Sequence, residues 1–211
     1  MNRADAVTLF RTILVFPIAY AILAKFSPVL VVIGIIVMFV LDAIDGFFAI
    51  NTASRGKIGI FDYIRYASGD KKLGSYVEKL RPSLKKQSKY GARIDVAGDR
   101  ATEYIFWIIF TYVGILPLWL LFIIVLRHSF VDAFMGAKGT SSKMKSTFAR
   151  VVYGSKAGRF GVGALKAITF SYLVLVYVLN APAVPGYLLV ALLVAYIMLR
   201  GIAEIYESFR K

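Results

Sequence analysis

Apolar residues run through this chain in blocks too long to be explained by the core of a water-soluble helix. A helix that crosses the hydrocarbon of a bilayer needs roughly 17–25 mostly apolar residues. Stretches at residues 7–24, 28–50, 94–116, 117–134, 163–179 and 184–205 meet that description. Pro117 marks the turn between the third and fourth. The first stretch lacks a small-residue cleavage site and is followed by further apolar blocks, so it reads as a span and not as a signal peptide. The pattern changes over residues 51–90. Ile58, Ile60, Phe61 and Ile64 stand among basic residues, and residues 75–87 are strongly basic. This predicts one or two short amphipathic helices on the membrane surface; the plainer alternative is a solvated basic loop that only holds topology. No internal repeat and no second soluble domain is visible. The expected fold is all-α: a single polytopic membrane domain over residues 1–211, with six transmembrane helices and a basic insertion at 51–90.

Composition supports lipid as the solvent. Hydrophobic residues are 59% of the 211, charged residues 18%, and the mean hydropathy is +0.70. Soluble domains sit at about 45–50% apolar. The net charge of +14, from 26 Lys+Arg against 12 Asp+Glu, would otherwise suggest nucleic acid. In a membrane protein the same excess belongs to cytoplasmic loops and anionic headgroups. The distribution fits: residues 51–93 carry eleven Lys and Arg and residues 127–166 carry eight, whereas the turns at 114–118 and 180–186 carry none. The positive-inside rule therefore makes both long segments and both termini cytoplasmic. Without cysteine there is no disulfide or thiolate metal site, and a single histidine argues against zinc.

Acidic residues inside apolar spans are costly and mark candidate functional sites. Asp42 and Asp45 lie three apart at the basic-loop end of the second span. Asp95, Asp99 and Glu103 lie four apart at the corresponding end of the third. Residues at i, i+3 and i+4 share a helix face, so each helix presents an acidic stripe at the same depth. Four such carboxylates brought together would repel one another unless a cation sits between them. Oxygen-only ligands favour Mg²⁺, Mn²⁺ or Ca²⁺. Salt bridges to Arg93 and Arg100, or a proton relay, are the alternative. Small residues flank the acids: Gly46, Ala49 on the face of Asp42 and Asp45, and Gly91 four before Asp95. They allow a partner helix or a ligand to approach the backbone.

Asp42-Ala-Ile-Asp45-Gly46-Phe-Phe-Ala49, with Gly91-Ala-Arg-Ile-Asp95-Val-Ala-Gly-Asp99, resembles the signature of the CDP-alcohol phosphatidyltransferases, D-x2-D-G-x2-A-R, a spacer, then G-x3-D-x3-D. Thr8-Leu-Phe-Arg11 with Pro17 is similar to that family's amino-terminal segment. Two departures stand out. Ile50 occupies the position of the family Arg, for which Arg55, Arg93 and Arg100 are candidate substitutes. The spacer between Ala49 and Gly91 is also far longer than the family's. The resemblance implies two Mg²⁺ or Mn²⁺ ions held by Asp42, Asp45, Asp95 and Asp99, with Asp99 as the base. It implies a CDP-linked lipid bound by Thr8, Arg11, Asp42, Gly46, Ala49, Gly91 and Asp95, with CMP as the leaving group. A homodimer is implied as well; the absence of a nucleic-acid partner is expected from the apolar composition instead.

The resemblance further implies a small polar alcohol as acceptor, expected to be a phosphorylated polyol such as glycerol phosphate or inositol phosphate. Arg127, Lys156, Arg159 and Lys166 are the candidate cations for it, although topology alone also demands basic residues there. Asp132 and Phe134 stand where inositol phosphate users carry Lys and Arg, while Arg127 loosely resembles an Arg of the glycerol phosphate branch. Rival readings are a membrane prenyltransferase, which also pairs aspartate motifs over a pyrophosphate, and a cation transporter. A transporter predicts acids spread through the bilayer depth, often in repeated halves.

Overall fold

The structure is a computed structural model and describes residues 3–87, 90–135 and 156–209. Its elements are α1 (Arg3–Leu23), α2 (Pro28–Ala53), α3 (Ile60–Ala67), α4 (Lys71–Gln87), α5 (Gly91–Tyr112), α6 (Leu118–Met135), α7 (Lys156–Leu179) and α8 (Ala183–Phe209). No strand occurs among the described residues. Four helical segments are long and apolar enough to cross a membrane: Asp5–Leu23, Pro28–Ala53, Gly161–Leu179 and Ala183–Phe209. Of the other two expected spans, α5 carries Arg93, Asp95, Asp99, Arg100 and Glu103 within its first thirteen residues, and α6 is 18 residues long. The expected boundaries shift mostly outward: α5 begins at Gly91 and α7 at Lys156, because the polar ends continue the helices beyond their apolar blocks.

Helix ends follow local chemistry. Pro28 opens α2, where a missing N–H leaves nothing unpaired. The α1–α2, α5–α6 and α7–α8 turns each carry a left-handed residue: Lys25 (φ 50°), Gly114 (φ 79°) and Asn180 (φ 53°). At Gly114 this conformation costs a glycine little, and Pro117 follows to stop any continuation. Asp70 caps α4 by accepting from the Leu73 and Lys72 N–H groups at 3.1 and 2.9 Å, and these bonds hold its carboxyl below the usual carboxylate range.

Helix α1 packs on α2 and α5, α2 on α7, and α8 on α6 and α7. Phe106, Trp107 and Phe110 of α5 close on Phe170 of α7, with the Phe106 and Phe170 rings 4.8 Å apart. The opposite faces remain apolar and open: Ile13, Phe16 and Tyr20 of α1, Val29, Leu30 and Ile33 of α2, and Val184, Leu188 and Leu192 of α8. Large apolar side chains on the outside of so many helices are what a lipid environment requires. The 51–90 segment forms two helices, α3 and α4. They build a second small core of Ile50, Ile58 and Val77 against the end of α2.

Candidate functional site

Helix α1 presents Thr8 and Arg11 on one face, α2 presents Asp42 and Asp45, and α5 presents Asp95 and Asp99. The three helices meet so that Arg11 stands among all four carboxylates. Its Nη1 lies 2.6 Å from Asp42, and its Nη2 lies 2.8 Å from Asp99, 3.8 Å from Asp95 and 4.0 Å from Asp45. Asp45 also accepts the Thr8 hydroxyl at 3.0 Å. The Arg11 side chain is 3% exposed, whereas Asp42, Asp95 and Asp99 are 37–50% exposed. The acids therefore face an opening and the cation lies behind them. The cationic partner is Arg11. Arg100 is engaged elsewhere, donating twice to Asp132 of α6 at 3.0 Å.

Among the described residues, Arg11 is the one cation in contact with these four carboxylates. Asp42, Asp45 and Asp95 each offer an oxygen within 4.8 Å of the other two. Three hard oxygen donors at that spacing, two of them on partly exposed side chains and the third on the buried Asp45, could hold a divalent cation such as Mg²⁺ or Mn²⁺. Asp99 lies outside this trio, with its carboxylate turned toward Arg11.

A close approach of α5 to α1 makes the meeting possible. A Cβ at Gly98 would come 2.6 Å from the Thr12 hydroxyl and 3.1 Å from a methyl carbon of Thr8. The Thr12 hydroxyl is itself bonded to the Thr8 carbonyl at 2.8 Å, so it cannot swing aside without losing that bond. We expect Gly98→Ala to push α5 outward between Asp95 and Asp99, destabilising the protein by about 1–3 kcal/mol as overpacked sites do. The check is a thermal melt in detergent; an unchanged Tm would mean that the contact is not tight.

The small residues named from the sequence fare differently. Gly46 does open space beside Asp45, but the space holds the Tyr63 hydroxyl, 2.7 Å from where a Cβ would be. Tyr63 comes from α3 and also packs edge-on against Phe47. Gly91 opens α5, and Ala49 is partly buried on α2. Ile50, in the place of the family Arg, is buried in the second core, where an apolar side chain fits. Arg55 is exposed in the loop after α2, and Arg93 is exposed on α5.

A second charged cluster lies deeper in the bundle. Glu103, 2% exposed, meets Lys166 Nζ at 2.6 Å, His128 Nε2 at 3.4 Å and Trp107 Nε1 at 3.4 Å. Arg127 Nη1 donates to His128 Nδ1 at 2.8 Å, which leaves the imidazole proton on Nε2, toward Glu103. Arg127 also binds Glu204 at 3.2 Å and the Ile197 carbonyl at 3.2 Å, lying across Gly201. Of the candidate acceptor residues, Arg127 is thus enclosed in the bundle. Lys166, 17% exposed, is held by Glu103. The side chains of Lys156 and Arg159 lie outside the described residues.

Sequence reasoning did not foresee Arg11 as the counter-ion of the acids, nor Gly98 and Tyr63. A signal existed for the first: Arg11 is the single Lys or Arg between residues 4 and 24. A lone cation in an apolar span needs an acidic partner at its own depth. No protein-family model, no curated protein and no solved structure matches the chain.

Proposed function

We propose that this chain is a membrane-embedded CDP-alcohol phosphatidyltransferase. It moves the phosphatidyl group, or an ether-lipid equivalent, from a CDP-linked lipid to the hydroxyl of a small polar alcohol, and CMP leaves. The observation that carries the reading is the contrast between the two charged clusters. The deep one pairs each of two buried acids with a cation: Glu103 with Lys166 and Glu204 with Arg127. Among the described residues the aspartate cluster has one contacting cation for four acids, is partly exposed through Asp42, Asp95 and Asp99, and carries two short carboxylate motifs that resemble the family's across a longer spacer. Six spans, two metal ions, a homodimer and a cytoplasmic site belong to the same reading. The acids at one depth argue against an ion path through the bilayer.

In this mechanism Asp42, Asp45 and Asp95 would hold Mg²⁺ or Mn²⁺. The bound metal would supply positive charge against the pyrophosphate and the departing CMP. Arg11 holds Asp42 and Asp99 at fixed separation, and the Thr8 hydroxyl fixes Asp45. Asp99, partly exposed, takes the proton of the acceptor hydroxyl. The acceptor oxygen bonds to the lipid-side phosphorus, and the bond from that phosphorus to the oxygen shared with CMP breaks. Of the described candidates for a phosphate on the acceptor, Lys166 is 17% exposed and Arg127 6%, so the role falls to Lys166.

The test is release of CMP from a radiolabelled CDP-lipid by the purified protein, across a panel of acceptors. We expect release to need Mg²⁺ or Mn²⁺, to stop with EDTA, and to return when the metal is restored. Full turnover by metal-free protein would end the metal reading. No release with any acceptor would end the transferase reading.

A further inference from the structure

Helix α3 has two apolar faces and only one of them is covered by protein. Tyr63 and Tyr66 pack inward on the second core with Ile58 and Val77. Ile60, Phe61 and Ile64 point the other way and are exposed, Phe61 at 79%. Positions 60, 61 and 64 lie on one side of a helix. Helix α4 shows the opposite arrangement. Of its apolar side chains, Tyr76, Val77, Leu80 and Leu84 join the core, and its outward positions Lys71, Lys72, Ser75 and Lys79 are polar. The unit therefore has a dry outer side on α3 and a wet one on α4.

Three contacts fix the height of α3. The Asn51 side chain donates to the Ile58 carbonyl at 2.8 Å, which ties the start of α3 to the last turns of α2. Tyr63 reaches Gly46, and its ring packs on Phe47. Val40, still open on the outside of α2, lies six residues before Gly46, or about 9 Å along the axis at 1.5 Å per residue. Hence α3 stands where the apolar part of α2 ends, at the level of a headgroup region. Exposed cations surround it: Arg55, Lys57, Arg65, Lys71 and Lys72. Residues 51–93 carry eleven Lys and Arg against three acids, Asp62, Asp70 and Glu78.

We propose that α3 is a membrane-surface anchor for an anionic lipid leaflet: Ile60, Phe61 and Ile64 sink into the interface while the flanking Lys and Arg meet lipid phosphates. Apolar insertion and basic attraction add, and each Lys or Arg near an anionic surface contributes to the second. The anchor depends on no assignment of activity, so it stands or falls apart from the function proposed above.

The absence of cysteine makes the test direct. In the full-length protein, Phe61→Cys and, separately, Lys79→Cys are spin-labelled and reconstituted into phosphatidylcholine vesicles with or without phosphatidylglycerol. Collision with a water-soluble nickel complex is then measured. With phosphatidylglycerol we expect the label at position 61 to be at least about threefold less accessible than the label at 79, as interfacial burial demands. Charge reversal of Lys57, Lys71 and Lys72 to Glu should return position 61 toward its accessibility in phosphatidylcholine alone. Equal accessibility at 61 and 79 in anionic vesicles would overturn the anchor. Shielding at 61 that ignores phosphatidylglycerol would overturn its preference for anionic lipid. Shielding that grows with the protein-to-lipid ratio would assign the face to a second copy of the chain and overturn the anchor as well.

Discussion

Replacing Arg11 with Ala should be the most destabilising single change at the aspartate cluster. Arg11 is buried behind four carboxylates and uses two different nitrogens to reach two helices, Nη1 for Asp42 of α2 and Nη2 for Asp99 of α5. Removing one partner of a buried ion pair typically costs about 3–5 kcal/mol, because the other charge is left unpaired. Water reaches Asp42, Asp95 and Asp99 in part, which relieves some of that penalty, so the loss should fall near or below about 3 kcal/mol. Arg11→Lys keeps the charge but not the fork, and one ammonium cannot take the place of both nitrogens. It should fall between wild type and Arg11→Ala. Thermal melts with and without Mg²⁺ separate two accounts of the cluster. If the acids also hold a divalent cation, Mg²⁺ should raise the Tm of Arg11→Ala more than that of wild type, since the competing positive charge has gone. A Tm of Arg11→Ala equal to wild type would mean that the four carboxylates do not depend on Arg11. A Mg²⁺ effect no larger than in wild type would count against a cation site in the trio.

The long helices were legible because their signal is local. A block such as 28–50 allows few alternatives once lipid is the solvent, and the acids within it stand out by cost alone. Asp42, Asp45, Asp95 and Asp99 come together as their spacing required, from two helices with one acidic stripe each. The position of Arg11 needed a third helix. Its meeting with Asp99 spans 88 residues of sequence, and it rests on the crossing of α1 and α5 at Gly98. Small residues were noticed next to the acids on the face expected to hold a ligand. Gly98 lies between the acids on a face that meets another helix, and nothing local distinguishes those two uses. Tyr63 was illegible for a different reason. The insertion reads only as amphipathic and basic, and which of its aromatics turns back onto α2 is decided by the small core of Ile50, Ile58 and Val77. The same core explains why Ile50 is apolar: Ile58 and Val77, brought in by the segment that follows α2, pack against it. The acceptor side was the least legible. Positive-inside topology and anion binding ask for the same residues at the same depth, and only packing separates the enclosed Arg127 from Lys166.

Asp99→Asn should lower kcat by about 10²–10⁴-fold, the range for loss of a general base, while changing KM for the CDP-lipid much less. The geometry makes this substitution informative. Arg11 Nη2 donates to Asp99 Oδ1 at 2.8 Å, and an Asn carbonyl can accept the same bond, so the join between α1 and α5 should survive. Asp99 stands outside the trio of Asp42, Asp45 and Asp95, and its side chain is 42% exposed, open to an acceptor hydroxyl. An Asn there cannot take a proton. Asp42→Asn, Asp45→Asn and Asp95→Asn each remove a charged oxygen from the trio. For these we expect a higher Mg²⁺ requirement and weaker CDP-lipid binding together, with activity partly regained at high metal. Asp45→Asn carries a further cost, because the Thr8 hydroxyl now bonds to a carboxylate and would bond to a neutral amide. The measurement is kcat and KM for CMP release as a function of Mg²⁺, with a melt of each variant as the folding control. Near wild-type kcat in a folded Asp99→Asn would remove Asp99 as the base. Rescue of Asp99→Asn by excess Mg²⁺, in the manner expected of the other three, would make it one more metal ligand.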